Sequence, residues 1–291
     1  MIILLYHRIA HLPTDPQLLC VSPDNFAEQV DAIRRVATIV PLREALTVKH
    51  SGSDAQRVAI TFDDGYADNV ETGLPILREF VSPATVFVTV REDRPSREFW
   101  WDELESLLLT DMQDGWNVMQ SPLHPRHVEY LNYFNLIRPL PTVEQQRTLD
   151  ELSLTVGRPR GVRPTHRVMT DDQLREVAAS TLVDIGAHTL SHPVLSAMSE
   201  DVQRREIQES KARLESIIHA PVRTFSYPYG TRKDYTPATV AGVREVGYSL
   251  ACSNFSGTVT AQSDPFQLPR HLVRDWTVAE FTERLTGWLH A

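Results

Sequence analysis

An α/β barrel is the fold class this sequence predicts, on two observations. Short apolar runs alternate with amphipathic stretches along most of the chain, and 291 residues with 42% hydrophobic content suffice to bury one large core. The runs Ile2 to Tyr6, Val58 to Phe62, Ala84 to Val90, Leu182 to Ala187, Val222 to Phe225, Tyr248 to Ala251 and Leu268 to Val273 read as strands, being rich in Val, Ile, Phe and Thr. Between them lie helix starts. Ser22 with Pro23 opens a helix from Asp24 to Val36, Thr170-Asp171-Asp172 opens one to Ala179, and Ser199 precedes a long charged helix from Glu200 to Ile218. Residues 1–291 thus read as a single domain. Residues 91–166 interrupt the alternation, with Trp100-Trp101, several prolines and helical segments but no clear strand. They read as a helical insertion, placed either to shape substrate access at the strand ends or to brace the barrel side.

The formal charge of −9, from 38 acidic side chains against 29 Lys and Arg, lacks the basic excess needed to follow phosphate backbones, so nucleic acid is a poor partner. Cys20 and Cys252 are too few for a disulfide framework and form no Cys-x-x-Cys, which makes them ordinary small apolar residues. The apolar start Ile2 to Tyr6 is too short for an export signal, and no stretch approaches the roughly 20 apolar residues of a membrane span. A cytoplasmic protein is the resulting expectation.

The chemistry-bearing residues cluster where predicted strands stop. Thr61-Phe62-Asp63-Asp64-Gly65 ends an apolar strand on two adjacent carboxylates, and barrels keep their catalytic groups at such ends. Asp-Gly alone is a common turn. Two acids there allow one to bind a metal while its neighbour handles a proton. His188-Thr189-Leu190-Ser191-His192 follows another strand, and a helical turn over that spacing would converge both imidazoles on one ion. The residue after His188 is Thr, so this is not the His-Glu-x-x-His pattern of zinc proteases and the third ligand must come from elsewhere. Two further clusters sit at strand ends, Tyr227-Pro228-Tyr229-Gly230 and Tyr6-His7, and a third, Pro269-Arg270-His271 through Arg274-Asp275-Trp276, lies close to the last strand.

Together these motifs, in this order, resemble the NodB-homology polysaccharide deacetylases, carbohydrate esterase family 4. The resemblance implies a distorted (β/α) barrel of seven or eight mostly parallel strands, a divalent metal, and hydrolysis of N-acetyl groups on a carbohydrate. Asp64, His188 and His192 would be the metal ligands and Asp63 the general base. Tyr227, Pro228 and Tyr229 would line the acetyl pocket, with a backbone N–H near Tyr229 on the oxyanion. Zinc suits an Asp-His-His set, which also accepts cobalt, nickel, manganese or iron. An N-acetylated sugar is the implied partner.

The chain departs from the family pattern in two places. Ser226 stands where many members carry the Arg that orients the base, which leaves Arg270, then Arg274, as replacements, with Asp275-Trp276 similar to a remnant of the fourth motif. The Leu-x-His element that supplies the general acid is absent, since Leu289-His290 lacks its spacing. Circularly permuted members take this His from an N-terminal strand, and Tyr6-His7 resembles that arrangement, which nominates His7 as the acid and His271 after it. Two other functions use the same residues: a carbohydrate-binding barrel without catalysis, stacking sugars on Trp100, Trp101 and Tyr229, and a metal-dependent O-esterase or amidase.

Overall fold

Strands form where the β-branched and aromatic runs lie, and helices where the caps predict them. The computed structural model describes residues 1–45, 56–91, 96–112 and 114–290. The strands are β1 (Ile2–Tyr6), β2 (Arg8–Ile9), β3 (Cys20–Val21), β4 (Thr38–Ile39), β5 (Arg57–Phe62), β6 (Ala84–Val88), β7 (Val183–Ala187), β8 (Thr224–Ser226), β9 (Leu250–Cys252) and β10 (His271–Leu272). The α-helices are α1 (Pro23–Val36), α2 (Leu74–Glu79), α3 (Trp100–Leu108), α4 (Pro125–Ile137), α5 (Thr142–Val156), α6 (Asp171–Ala179), α7 (Glu200–Ile218), α8 (Pro237–Glu245) and α9 (Val278–His290). Ser22, Thr170 and Ser199 cap α1, α6 and α7 through their side chains, as the sequence predicts.

The main sheet runs β10-β1-β5-β6-β7-β8-β9, with β4 added beside β5, and its strand pairings are all parallel. Its edges nearly meet: Cys252 in β9 bridges Leu268, just before β10, so the sheet curls into a distorted barrel. β2 and β3 form a separate small parallel pair that the apolar periodicity does not reveal, because two residues carry no period.

Strand parity explains what the barrel presents. Ile2, Leu4 and Tyr6 of β1, and Val58, Ile60 and Phe62 of β5, pack in the large core with α1 and α9, whereas Ile3 and Ala59 pack in a second cluster with Phe87, Leu250, Cys252 and Leu268. The second set is the barrel interior. Counting on by twos places His7, Asp63, His188, Ser226 and Arg274 on that inner face, at or just past the carboxyl ends of their strands, and Arg270 on the same face just before β10.

Helices α3, α4 and α5 lie between β6 and β7 and share a core of their own that includes Trp100, Trp101, Tyr130, Leu149 and Leu152. A buried polar network ties this core to the barrel. The Tyr66 hydroxyl donates to Asp102 at 2.7 Å, the Trp101 indole N–H donates to the Tyr66 oxygen at 2.9 Å, and the Arg8 guanidinium lies 4.2 Å over the Tyr66 ring. Arg8 is itself paired with Asp68.

Burial raises the Asp102 carboxyl to about 8, against the pull of Arg8 and the Tyr66 hydrogen bond. A carboxyl raised on folding contributes stability that is full below its unfolded pKa, near 4, and is lost as pH rises through about 8. Asp102→Asn keeps a neutral acceptor for Tyr66. The melting temperature of this variant, relative to wild type, should therefore rise by about 2–4 °C between pH 6 and pH 9, as read by calorimetry.

Candidate active site

Five strand ends converge on a pocket of about 290 Å³ lined by His7, Asp63, Asp64, His188, His192, Tyr229 and Arg274, with Trp101, Phe134 and Arg138 from the helical stretch after β6 on one wall. Strand alternation alone would send Asp63 and Asp64 apart. The left-handed backbone of Asp64 (φ 75°) turns the chain at the end of β5 so that both carboxylates line the pocket. Gly65 follows at φ 82°, where a Cβ would sit 3.0 Å from Val88, so the turn requires glycine.

The two histidines meet without a helical turn, contrary to the sequence expectation. Residues 188–192 form a loop with Thr189 at φ 64° and His192 at φ 61°, closed by the His192 N–H donating to the Thr189 hydroxyl at 3.0 Å. Glu206 on α7 holds this loop from below, accepting the N–H groups of Leu190 and Ser191 and the Ser191 hydroxyl. Sequence reasoning missed Glu206, whose only local signal is a carboxylate on the buried side of a charged helix.

Asp64 Oδ1 stands 3.3 Å from His192 Nε2 and 3.6 Å from His188 Nε2, and all three ligand atoms lie within 4.8 Å of one another. Tetrahedral ligands at zinc–nitrogen distances are separated by roughly 3.4 Å. His188 Nδ1 lies 2.8 Å from the Ser226 carbonyl, which fixes the tautomer with Nε2 free for an ion. Burial, opposed chiefly by Asp63, lowers His188 to about 4 and His192 to about 3, so both imidazoles are neutral and able to ligate at pH 7. Burial raises Asp64, with His7 and His188 opposing. This donor set, two neutral imidazoles and a carboxylate desolvated together, fits a divalent metal.

Asp63 belongs to a different arrangement. Arg270 grips it as a fork, Nη1 to Oδ1 at 2.7 Å and Nη2 to Oδ2 at 2.6 Å, and the Ser226 hydroxyl donates to Oδ2 at 3.1 Å. Arg270 also donates to Ser226 Oγ, Thr61 Oγ1 and the Ser253 carbonyl, so its guanidinium is fully engaged inside the barrel. Burial works to raise the Asp63 carboxyl, and Arg270 overrides it, holding Asp63 well below the usual carboxylate range.

The remaining sequence candidates divide. His7 lines the pocket beside the carboxylates; burial lowers it to about 4, against Asp64 and Asp63. Tyr229 lines the pocket at φ 58°, its hydroxyl accepting from the Trp100 indole at 3.3 Å. Tyr227 does not reach the pocket: it stacks on Tyr235 at 4.1 Å and donates to the Phe266 carbonyl, because its parity points it into the outer core. Pro228 is buried behind Tyr229, its carbonyl accepting the Gly230 N–H. Trp276 packs on α9 near Trp288 and under Arg284, away from the pocket, while Asp275 caps the start of α1 through Ser22 and Asn25. His271 stacks on Trp288 outside the pocket, and Arg274 donates to the carbonyls of Gln17 and Leu18 with no contact to Asp63.

The family model for polysaccharide deacetylase matches residues 50–118 and 144–251, over half of the chain. The chain belongs to the polysaccharide deacetylase family. His7 and Arg270 lie outside the matched segments. A putative polysaccharide deacetylase of Bacillus subtilis, YxkH, is 20% identical over 80% of this chain, which spans only 57% of that relative's length. Among solved structures, a Streptococcus pyogenes deacetylase, PplD, in complex with acetate superposes with a TM-score of 0.65 at 19% identity, covering 99% of this chain and 97% of that one. IcaB from Ammonifex degensii gives 0.64 at 21% identity over 100% and 97%. A de-N-acetylase from Aggregatibacter actinomycetemcomitans gives 0.60 at 16% over 96% and 98%. At these identities the likeness is one of fold. Among the described residues, this polysaccharide deacetylase family member has no helix long and apolar enough to cross a membrane.

Removing Arg270 leaves Asp63 as an uncompensated buried charge. Arg270→Met should lower unfolding stability by about 3–5 kcal/mol in urea titrations, and Asp63→Asn introduced into that variant should recover part of the loss. Asp64→Ala and His192→Ala should come through gel filtration with little divalent metal while Asp63→Asn retains it, as measured by elemental analysis.

Proposed function

We propose that the protein is a metal-dependent deacetylase that hydrolyses N-acetyl groups on a carbohydrate. The observation that carries this reading is the division of labour between adjacent carboxylates: Asp64 faces two neutral imidazoles, while Asp63 is clamped, ionised, by Arg270. Amide hydrolysis needs both an electrophilic centre and a base that stays deprotonated. Asp64, His188 and His192 would hold the ion, zinc being the first expectation. When bound, a divalent metal polarises the acetamide carbonyl and makes a water molecule easier to deprotonate.

Asp63 then takes the proton of the attacking water, in the orientation that Arg270 and Ser226 impose on its two oxygens. Tyr229 stands on the acetyl side, where its backbone N–H is our candidate donor to the oxyanion; one such donor contributes about 3 kcal/mol to the transition state. Collapse of the tetrahedral intermediate breaks the C–N bond, releasing acetate and a free amine. His7, lining the same pocket as Asp64 and Arg274, is the candidate to protonate the departing nitrogen. Because burial keeps its ring neutral at pH 7, the proton it delivers must be taken up within the same turnover. Trp101 closes one wall 4.8 Å from the His192 ring and excludes water from that side, consistent with reading 91–166 as an insertion within one domain that shapes access.

Acetate release from a panel of N-acetylated sugars, with O-acetylated sugars beside them, tests the reading. Activity should vanish on chelation and return with added zinc or cobalt, and N-acetyl substrates should lead the panel. Asp63→Asn should lose at least about 100-fold in kcat while keeping its metal, and His7→Ala should lose about 10–100-fold. A metal-loaded, folded protein that releases no acetate, or an Asp63→Asn variant near the wild-type rate, sinks the proposal.

A further inference from the structure

Two guanidiniums face the pocket, and their circumstances differ. Arg138, at the end of α4, is paired with the buried carboxylate of Asp234 and lies 4.2 Å over the Tyr229 ring, so its charge is compensated by the protein. Arg274 is not. Among the described residues no carboxylate lies within ion-pair distance of it, and only Nη1 makes hydrogen bonds, both to main-chain carbonyls. The neighbouring acids are committed elsewhere. Asp275 caps α1, and both oxygens of Asp15 accept main-chain N–H groups of Leu19 and Cys20. Burial lowers the Arg274 pKa, opposed by Asp15 alone. A half-buried cation on a pocket wall, with one edge of its fork unused, is arranged for an anion that the protein does not supply.

Its position says which part of a substrate would bring that anion. β1 and β10 are paired with Leu4 opposite His271 and Leu5 opposite Leu272, and the Val273 N–H continues the ladder to the Leu5 carbonyl. Extending that register sets His7 across from Arg274, and both line the pocket. Tyr229 and the Asp64-His188-His192 group take the acyl side; His7 serves the nitrogen. An anion at Arg274 is therefore carried by the sugar, next to the acetamido carbon, and not by the acyl group.

We infer that Arg274 is a specificity residue that binds an oxyanion, a phosphate or a carboxylate, on the sugar beside the acetamido group, so that the preferred substrates are anionic N-acetylated sugars. The inference rests on the deacetylase reading for its orientation, and its contact with the anion can be tested apart from turnover. Arg274 acts on binding and leaves the reacting atoms to Asp63 and His7, so its loss should appear mainly in KM.

The test compares N-acetylglucosamine 1-phosphate, N-acetylmuramic acid and neutral N-acetylglucosamine on metal-loaded wild type, Arg274→Gln and Arg274→Lys. Wild type should favour at least one anionic sugar over the neutral one by about 10–100-fold in kcat/KM, the worth of a charge-assisted contact. The winner among the two anions distinguishes phosphate from carboxylate. In Arg274→Gln that preference should collapse through KM, and Arg274→Lys, which keeps the charge but not the fork, should fall between. Equal rates on all three sugars in wild type, or an Arg274→Gln variant that loses the same factor on anionic and neutral sugars, overturns the inference. If folded wild type releases acetate from none of them, the deacetylase reading fails, and calorimetry decides the arginine contact separately. Tighter binding of the anionic sugars to wild type than to Arg274→Gln upholds it, and equal binding overturns it.

Discussion

The buried fork between Arg270 and Asp63 is the interaction on which the site depends. Both groups lie inside the barrel, where an ion pair is tolerable only if its geometry is good and its spare donors are satisfied. Here each Asp63 oxygen receives one guanidinium N–H, and Ser226, Thr61 and the Ser253 carbonyl take up the rest. These partners come from β5, β8, the end of β9 and the segment leading into β10, so the pair also ties the two edges of the curled sheet together. Arg270 thus keeps Asp63 ionised with one side of its guanidinium and bridges the closing edges with its Nε–H on the Ser253 carbonyl.

Backbone strain does the complementary work. Asp64, Thr189, His192 and Tyr229 all adopt left-handed conformations that side-chain-bearing residues rarely take, and all four are in the pocket or in the loop that builds it. Asp64, His192 and Tyr229 turn their side chains into the pocket in this way, and Thr189 closes the loop by accepting the His192 N–H. The surrounding structure over-determines them: Glu206 holds the histidine loop with three hydrogen bonds, and the close approach of Gly230 to Asn254 fixes the Tyr229 turn. Support of this kind holds donor atoms of Asp64, His188 and His192 within 4.8 Å of one another, a spacing that could hold a metal ion.

The helical stretch after β6 completes the pocket from outside the sheet. Trp101, Phe134 and Arg138 reach it from α3 and from the end of α4, while the Tyr66-Asp102-Trp101 network pins α3 to the barrel. The strand ends thus supply the carboxylates and imidazoles, and the helices supply the Trp101 and Phe134 rings with the Arg138 guanidinium beside them.

The sequence by itself determined the alternation of strands and helices, the helix caps, and the concentration of Asp63-Asp64, His188, His192 and His7 at strand ends with Arg270 close to the last strand, because apolar period and cap chemistry are local properties. Which face of each strand looks into the barrel came only with the packing of the two core clusters, which puts His7, Asp63, His188 and Arg270 on the inner one. Only the tertiary structure decided how that face is used. It brought Asp64 inward through a left-handed turn, replaced the expected helical turn at 188–192 with a loop held by Glu206, set Trp276 and Tyr227 aside in the core, and showed that Arg274 turns from Asp63 to the pocket wall. These outcomes depend on which distant chain segments fill the space beside each residue, and no local period encodes that.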